Sequence, residues 1–249
     1  FILLFDQASS VEPNGRNSCD KNGESMKEVI SEQNLKYSLF QSLKKSCGDI
    51  SADILEVGID ELTGSVIKSE LIESLPLIKI IISLYRTGVG IREALFVKKV
   101  ISFIGEFNEI DQSKRIKFID ELLLDTKKTE TFAETVISLV DKAETSNKTA
   151  LYGKLFRLHL EFDESYEDIL KVCYMVDRSI YSDLKYLQKF SDGSFENPLI
   201  SEELHRAGFL SNGGIDGGTF DDDGTHSGGI IYLTNKYGKI LKNALALCH

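Results

Sequence analysis

LIESLPLIKIIISLYRTGVGIREALFVKKVISFI, residues 71–104, is the most apolar part of this 249-residue chain and nearly its only positively charged part. Between Ser74 and Gly105 stand Lys79, Arg86, Arg92, Lys98 and Lys99 against one acid, Glu93, inside a chain of formal net charge −10. Pro76 suits the first turn of a helix, where its missing N–H costs nothing. Gly88-Val89-Gly90 breaks or kinks that helix, since two glycines so close cost about 2 kcal/mol relative to alanine. The stretch therefore reads as two helices. On the first, Leu75, Leu77, Ile78, Ile80, Ile81, Ile82, Leu84 and Tyr85 cover nearly all of the surface, leaving Lys79 and Arg86 on one face. A helix apolar almost all round is normally buried. On the second, Ile91, Ala94, Leu95, Val97, Ile101 and Ile104 form an apolar face, with Arg92, Lys98 and Lys99 spread around the other side. Two readings follow: the buried centre of a bundle, or a pair of helices whose basic residues meet anionic headgroups while the apolar face inserts. The bundle centre is preferred, because the surrounding helices supply matching apolar stripes and acidic partners. The exposure of Lys79 and Arg86 separates the two.

Working outward, the composition suits a helix-rich globular chain: 42% apolar, 27% charged, and three prolines. That length suffices to bury a proper core. Cys19, Cys47, Cys173 and Cys248 have neither close pairing nor metal-type spacing, so a disulfide framework or zinc ribbon is not expected and a reducing cytoplasm fits. The net acidity opposes nucleic-acid binding by the surface as a whole, because a polyanion must be met by a basic face. No transmembrane helix is expected, since Lys79, Arg86, Arg92 and Glu93 interrupt the apolar segment before about 18 uncharged residues accumulate. The opening FILLF is too short for a signal-peptide core. Gly23, Glu24, Ser25 and Met26 are what a purine-rich ribosome-binding sequence and a start codon look like when translated through. Residues 1–25 are therefore expected to be a non-native or disordered leader, with the natural protein beginning at Met26 in a bacterium or phage.

Period 3.6 dominates after Met26. Helices are expected around 27–47, with Ile30, Leu35, Leu39 and Leu43, and around 51–63, with Ile54, Leu55, Ile59 and Leu62. Farther on, Asp111 caps SKRIKFIDELLL, Thr131 and Glu134 have capping-box spacing before VISLV, and Ser146 caps TALYGKLFRLHLEF. Ser165 and Asp168 frame another start, and the pattern continues to about Phe190. Asn197-Pro198 opens LISEELHRA, which stops at Gly208. SNGGIDGGTFDDDGTHSGG reads as a glycine- and aspartate-rich loop, IIYL as a strand, and Thr234 as the cap of NKYGKILKNALAL.

The order helix, Gly-Phe-Leu, hairpin loop, then Tyr232-x-Leu-Thr-x-x-Gly238-x-x-Leu241 resembles the last helix, wing and following helix of bacterial winged-helix proteins, over residues 178–249. The long helical part, with its Pro-initiated apolar helix and FVKKVISFI segment, resembles uncharacterised bacterial helical proteins, some linked to phage defence. The expected fold is mainly α: a multi-helix bundle over 26–162, then a small winged-helix-like α+β unit with one β-hairpin over 163–249.

The winged-helix resemblance implies a DNA-reading helix, and His205 and Arg206 are its nucleic-acid candidates. Residues 161–249 nevertheless carry fifteen acids against eight Lys or Arg, and Asp216, Asp221, Asp222 and Asp223 at the wing would repel a duplex. Nucleic acid is thus an unfavoured partner. As a calcium loop, Asp221, Asp223 and Gly224 fall at the third, fifth and sixth positions, but Thr219 and Ile230 occupy the first and twelfth, where acidic ligands are needed. His159 reads as a partly buried helix residue or a surface polar group rather than a base, Cys173 as a small buried hydrophobe, and GVGIRE lacks the spacing and the Lys-Ser/Thr ending of a phosphate loop. No catalytic set, metal or cofactor is expected. The expected function is a non-enzymatic, cytoplasmic accessory protein acting through contacts with another protein, with defence or regulation implied by the resemblance alone. The alternatives are a peripheral membrane protein using Lys79, Arg86, Arg92, Lys98 and Lys99, and a DNA-binding regulator.

Overall fold

The computed structural model describes residues 34–45, 75–84, 91–194, 197–218 and 228–247, with backbone alone at 81–84 and 91–94. The described chain is mainly helical, with one two-stranded sheet near its C-terminal end. Helix α1 spans 34–44, and α2 and α3 are the two helices of the apolar basic stretch, Pro76–Leu84 and Ile91–Asn108. Then follow α4 (Gln112–Leu123), α5 (Thr126–Lys142), α6 (Ser146–Phe162), α7 (Tyr166–Asp177), the short α8 (Tyr181–Tyr186) and α9 (Pro198–Arg206). Strands β1 (Leu210–Asp216) and β2 (Gly229–Thr234) form an antiparallel hairpin, and α10 (Lys236–Ala246) follows it. The expected helix at 51–63 and the glycine step at 88–90 lie outside the described residues.

The centre is α3 packed along α6. Gly153 permits this approach: a Cβ there would lie 2.5 Å from Glu106 Cβ and 2.9 Å from the Phe103 carbonyl oxygen. Phe103, Phe107, Phe132 and Phe156 fill the interior around the contact, Phe156 meeting Phe103 edge-on at 5.9 Å and Phe132 at 5.7 Å. Offset and edge-on pairs of this kind suit the ring quadrupoles. Helix α5 packs on α3, α4 on α5 and α6, and α7 and α10 on α6. Leu39, Phe40 and Leu43 of α1 join the same core, and Ser42 Oγ accepts the Leu77 N–H at 3.0 Å, satisfying one of the orphan amides at the start of α2. Buried residues from Leu39 to Ala244 form one contiguous cluster, which crosses the expected boundary at 162/163.

Asp111 caps α4 as expected, accepting the amides of Ser113 and Lys114 at 3.0 and 3.2 Å. Other starts differ. Asp125, not Thr131, caps α5, accepting the amides of Lys127 and Lys128 at 3.0 and 3.2 Å. The helix thus begins five residues before Thr131, because the good helix formers Lys127, Lys128 and Glu130 extend it back to that cap. Thr145 caps α6, one residue before Ser146. The helical run expected to reach Phe190 ends at Asp177 and resumes as the short α8. SNGGID, expected as loop, is the body of β1, and the strand accommodates its glycines through an irregularity between Asn212 and Gly214. Asn235, rather than Thr234, caps α10, its Oδ1 accepting the Gly238 N–H at 3.0 Å.

Candidate interaction surface

The packing disperses Lys79, Lys98 and Lys99, the basic residues of the opening stretch whose side chains are described. In α2, Leu75, Leu77 and Ile78 are buried while Lys79 points to solvent. Arg86 and the side chain of Arg92 lie outside the description. Lys98 is half-buried, and half-buried Lys99 donates to the carbonyl oxygens of Asp141 (2.7 Å) and Ala143 (3.0 Å), so it serves the C-terminal end of α5. Desolvation pulls the Lys99 pKa below the ordinary lysine value, against the attraction of Asp141 and Asp177. The apolar face of α3, with Val97, Val100, Ile101 and Ile104, is turned into the core. The described part of the stretch is thus central to the core, with Lys79, Lys98 and Lys99 at its rim.

Beside Lys99 lies a polar cluster that sequence reasoning missed. Lys148 is 1% exposed, and its Nζ donates to the Asp177 carbonyl oxygen at 2.8 Å and to Glu144 Oε2 at 3.0 Å. Tyr152 OH donates to Asp177 Oδ1 at 3.4 Å, and burial, with Asp177 adding, pushes the phenol pKa up. The two lysines thus place positive charge where the C-terminal ends of α5 and α7 present carbonyl groups. Arg115, also buried, donates from Nη1 to both the carbonyl and the side-chain oxygen of Asn108 at 2.9 and 2.6 Å. No sequence signal marks these residues, since amphipathic patterns place Lys and Arg outside.

These groups are committed to structure. Cys173 is fully buried and its thiol is pushed up by desolvation, the opposite of an activated nucleophile. His159 donates from Nδ1 to the Glu164 carbonyl oxygen at 2.6 Å, meets Phe118 edge-on and lies tilted against Tyr166. Among the described residues, no cluster of His, Cys, Asp and Glu is arranged to hold a metal ion, and no helix is long and apolar enough to cross a membrane. A groove between α1, α2, α3 and α5 is lined by apolar side chains, among them Leu39, Leu77, Phe96, Val100 and Val140.

The C-terminal unit offers a different surface. Gly208, at φ +90°, ends α9 in the left-handed region, and Phe209 N–H returns to the Leu204 carbonyl at 2.9 Å. Asn235 then ties the two strand ends together: its N–H donates to the Phe209 carbonyl at 3.2 Å and its Nδ2 to the Gly208 carbonyl at 2.7 Å. Gly238 allows α10 to start against this turn, where a Cβ would collide with the Phe209 carbonyl oxygen. On the outer side of β2, Asp192 Oδ1 accepts both the N–H and the hydroxyl of Thr234 at 2.7 Å, and Gly193 N–H donates to the Tyr232 carbonyl at 3.0 Å. The Thr234 hydroxyl and amide hold the Asp192 carboxyl below the usual carboxylate range. The hairpin therefore leaves the body from a fixed base.

Beyond that base its apolar side chains are uncovered. Leu210 and Tyr232 are buried, Tyr232 lying against His205 with ring centroids 5.3 Å apart. On the same face, two residues farther out on β2, Ile230 is 45% exposed and its cross-strand partner Ile215 is 80% exposed. Leu233, on the opposite face, is also exposed, lying over Gly213 together with Ile231. Arg206, the other nucleic-acid candidate, is paired within its own helix: Nη1 donates to Glu203 Oε1 at 2.7 Å and Nη2 to Glu202 Oε1 at 2.5 Å. No family model, curated protein or solved structure matches this chain.

Proposed function

We propose that this chain is a non-enzymatic accessory protein that acts by contacting another protein, and that the hairpin is where it does so. The observation that carries the reading is the Ile215–Ile230 pair, held in solvent by a hairpin whose base is fastened to α9, α10 and the 192–193 turn. Two isoleucines uncovered on a preorganised strand pair give a partner apolar area without an ordering cost. A bacterial setting and a role in defence or regulation rest on the sequence resemblances alone.

Less supports the alternatives. A membrane-surface role would need the apolar faces of α2 and α3 outside, whereas Leu75, Leu77, Ile78, Val97, Val100, Ile101 and Ile104 are buried. A DNA-reading role would need free cations beside the wing, but Arg206 is held by two glutamates and Asp216 stands at the end of β1.

A photoreactive amino acid placed at Ile215 in the native host tests the proposal. The expected result is a discrete cross-linked protein that is absent when the label sits at exposed Lys117 on α4 and is lost when Ile230→Lys is added. Equal labelling from both positions, or none from position 215, refutes it.

A further inference from the structure

Asn-Gly most often makes the two-residue turn of a hairpin, but Asn212-Gly213 lies inside β1, with Asn212 opposite Tyr232. The register passes from Asn212↔Tyr232 directly to Gly214↔Ile231, so Gly213 is the extra residue of a bulge and has no cross-strand partner. Asn212, Gly213 and Gly214 are all exposed. Gly214 has φ +123°, which L side chains rarely adopt, so the chain leaves strand geometry just after the bulge.

This backbone orients the Asn212 side chain. Its Oδ1 accepts the Gly214 N–H at 2.8 Å, the bond of an Asx turn, which draws the carboxamide toward the main chain that follows it. The Gly213 nitrogen and Asn212 Cγ are therefore held in one short segment, where an intramolecular attack gains from proximity. Gly213 has no Cβ to shield that nitrogen. The Gly214 N–H meanwhile bonds the oxygen on which negative charge would develop, as an oxyanion donor does.

The other described asparagines lack this arrangement. Asn197 precedes Pro198, whose nitrogen bears no hydrogen. Asn235 is committed at both ends, Oδ1 accepting the Gly238 N–H and Nδ2 donating to the Gly208 carbonyl. Asn34, Asn108, Asn147 and Asn243 lie in helices, each followed by a residue with a side chain.

We propose that Asn212 is a site of self-modification. The Gly213 nitrogen gives its proton to base and bonds to Asn212 Cγ; the Cγ–Nδ2 bond breaks, and the amino group takes a proton from water and leaves as ammonia. Water then opens the succinimide at either carbonyl. Opening at Cγ gives aspartate with the original peptide bond, and opening at the main-chain carbonyl gives isoaspartate, with the chain rerouted through Cβ and Cγ. Either product puts a carboxylate on the hairpin face that carries Ile215 and Ile230. Isoaspartate also adds a methylene to the main chain between that pair and the fixed base.

The test incubates the full chain in mildly alkaline buffer beside a free peptide of residues 207–218, followed by proteolytic digestion and mass spectrometry. The digest peptide containing Asn212 is expected to lose ammonia, then to carry a hydroxyl in place of the amino group, as two chromatographically separate products. Conversion should quicken as pH rises and be at least as fast in the folded chain as in the free peptide. Asn212→Gln, a change at an exposed side chain, should abolish both mass changes. Gly213→Ala, whose Cβ would meet the side chain of exposed Leu233 at 2.9 Å, should slow them about tenfold or more. Peptides containing Asn235 should stay unmodified. Asn14 and Asn22 also precede glycine but lie outside the described residues, and their peptides are read separately. Asn212 left intact in the folded chain while the free peptide converts, equal conversion of Gly213→Ala, or aspartate formed alone without the ammonia-loss species overturns the inference.

Discussion

Replacing Gly153 by alanine tests the central packing. The added Cβ would sit 2.5 Å from Glu106 Cβ and 2.9 Å from the Phe103 carbonyl oxygen, more than 1 Å inside ordinary carbon–carbon contact at the first. Neither neighbour is the far end of a flexible chain, so α3 and α6 must separate or shear along their whole contact. Overpacking of a close-packed core costs about 3 kcal/mol at the upper end of its usual range. The better helix propensity of alanine returns about 1 kcal/mol. The net expectation is a loss of about 2 kcal/mol, or a midpoint lowered by about 4–8 °C for a chain of this size. Thermal and urea unfolding followed by far-UV circular dichroism measures it. Gly217→Ala is the control, because nothing lies within 4 Å of a Cβ at that position, and it should change stability by less than about 0.5 kcal/mol. If Gly153→Ala is as stable as the parent, the close approach of α3 and α6 does not depend on the missing side chain and the argument fails.

Three further outcomes are expected. Because the folded-state pKa of Asp192 is depressed by Thr234, its contribution to the hairpin base is fully present above the ordinary carboxylate pKa and is lost as pH falls through the depressed value. The Thr234 amide resonance should therefore titrate below pH ~4, and a midpoint at or above that value contradicts the hydrogen-bond geometry. Lys148→Met should lower stability by about 1–3 kcal/mol by leaving the Asp177 carbonyl oxygen and Glu144 without the ammonium, whereas Lys117→Met, whose partner Glu121 is 4.0 Å away on an exposed face, should be near neutral in the same urea titration. In a variant retaining Cys173 as its only cysteine, the thiol should resist an aromatic disulfide reagent at pH 8 until denaturant is added, since the side chain is fully buried. Rapid reaction in the native state would contradict that burial.

The helical character of the chain was legible because it depends on periodicity, which packing of this bundle preserves. Pro76 at the start of α2 and Asp111 before α4 are local chemistry, and both act as their types suggest. The starts of α5 and α10 were misplaced because candidate caps compete at neighbouring positions, and tertiary contacts choose among them. Thr234 is diverted to Asp192, which leaves Asn235 to cap α10. The break between α7 and α8 carries neither glycine nor proline, only Arg178, Ser179 and Ile180, so no local signal announces it. The interior positions of Lys148 and Arg115 were equally hidden, since each is made tolerable by carbonyl groups on other turns and helices. Ile215 was concealed inside a glycine- and aspartate-rich run that resembles loop, whereas its partner Ile230 opens the run that reads as a strand. Exposure follows from where the base is anchored, and that requires Asp192, Gly208 and Asn235 to meet in space.

The position of α10 has a consequence for how the chain is made. Residues 236–246 cover α6 and α7, elements completed some sixty to ninety residues earlier. A growing polypeptide folds from its N-terminal side as it is synthesised, and uncovered apolar surface is prone to aggregation. Here the central helix keeps one flank open until α10 has been released. Ribosome stalling within the hairpin would therefore leave a chain with an unfinished core, a natural substrate for chaperones or proteases.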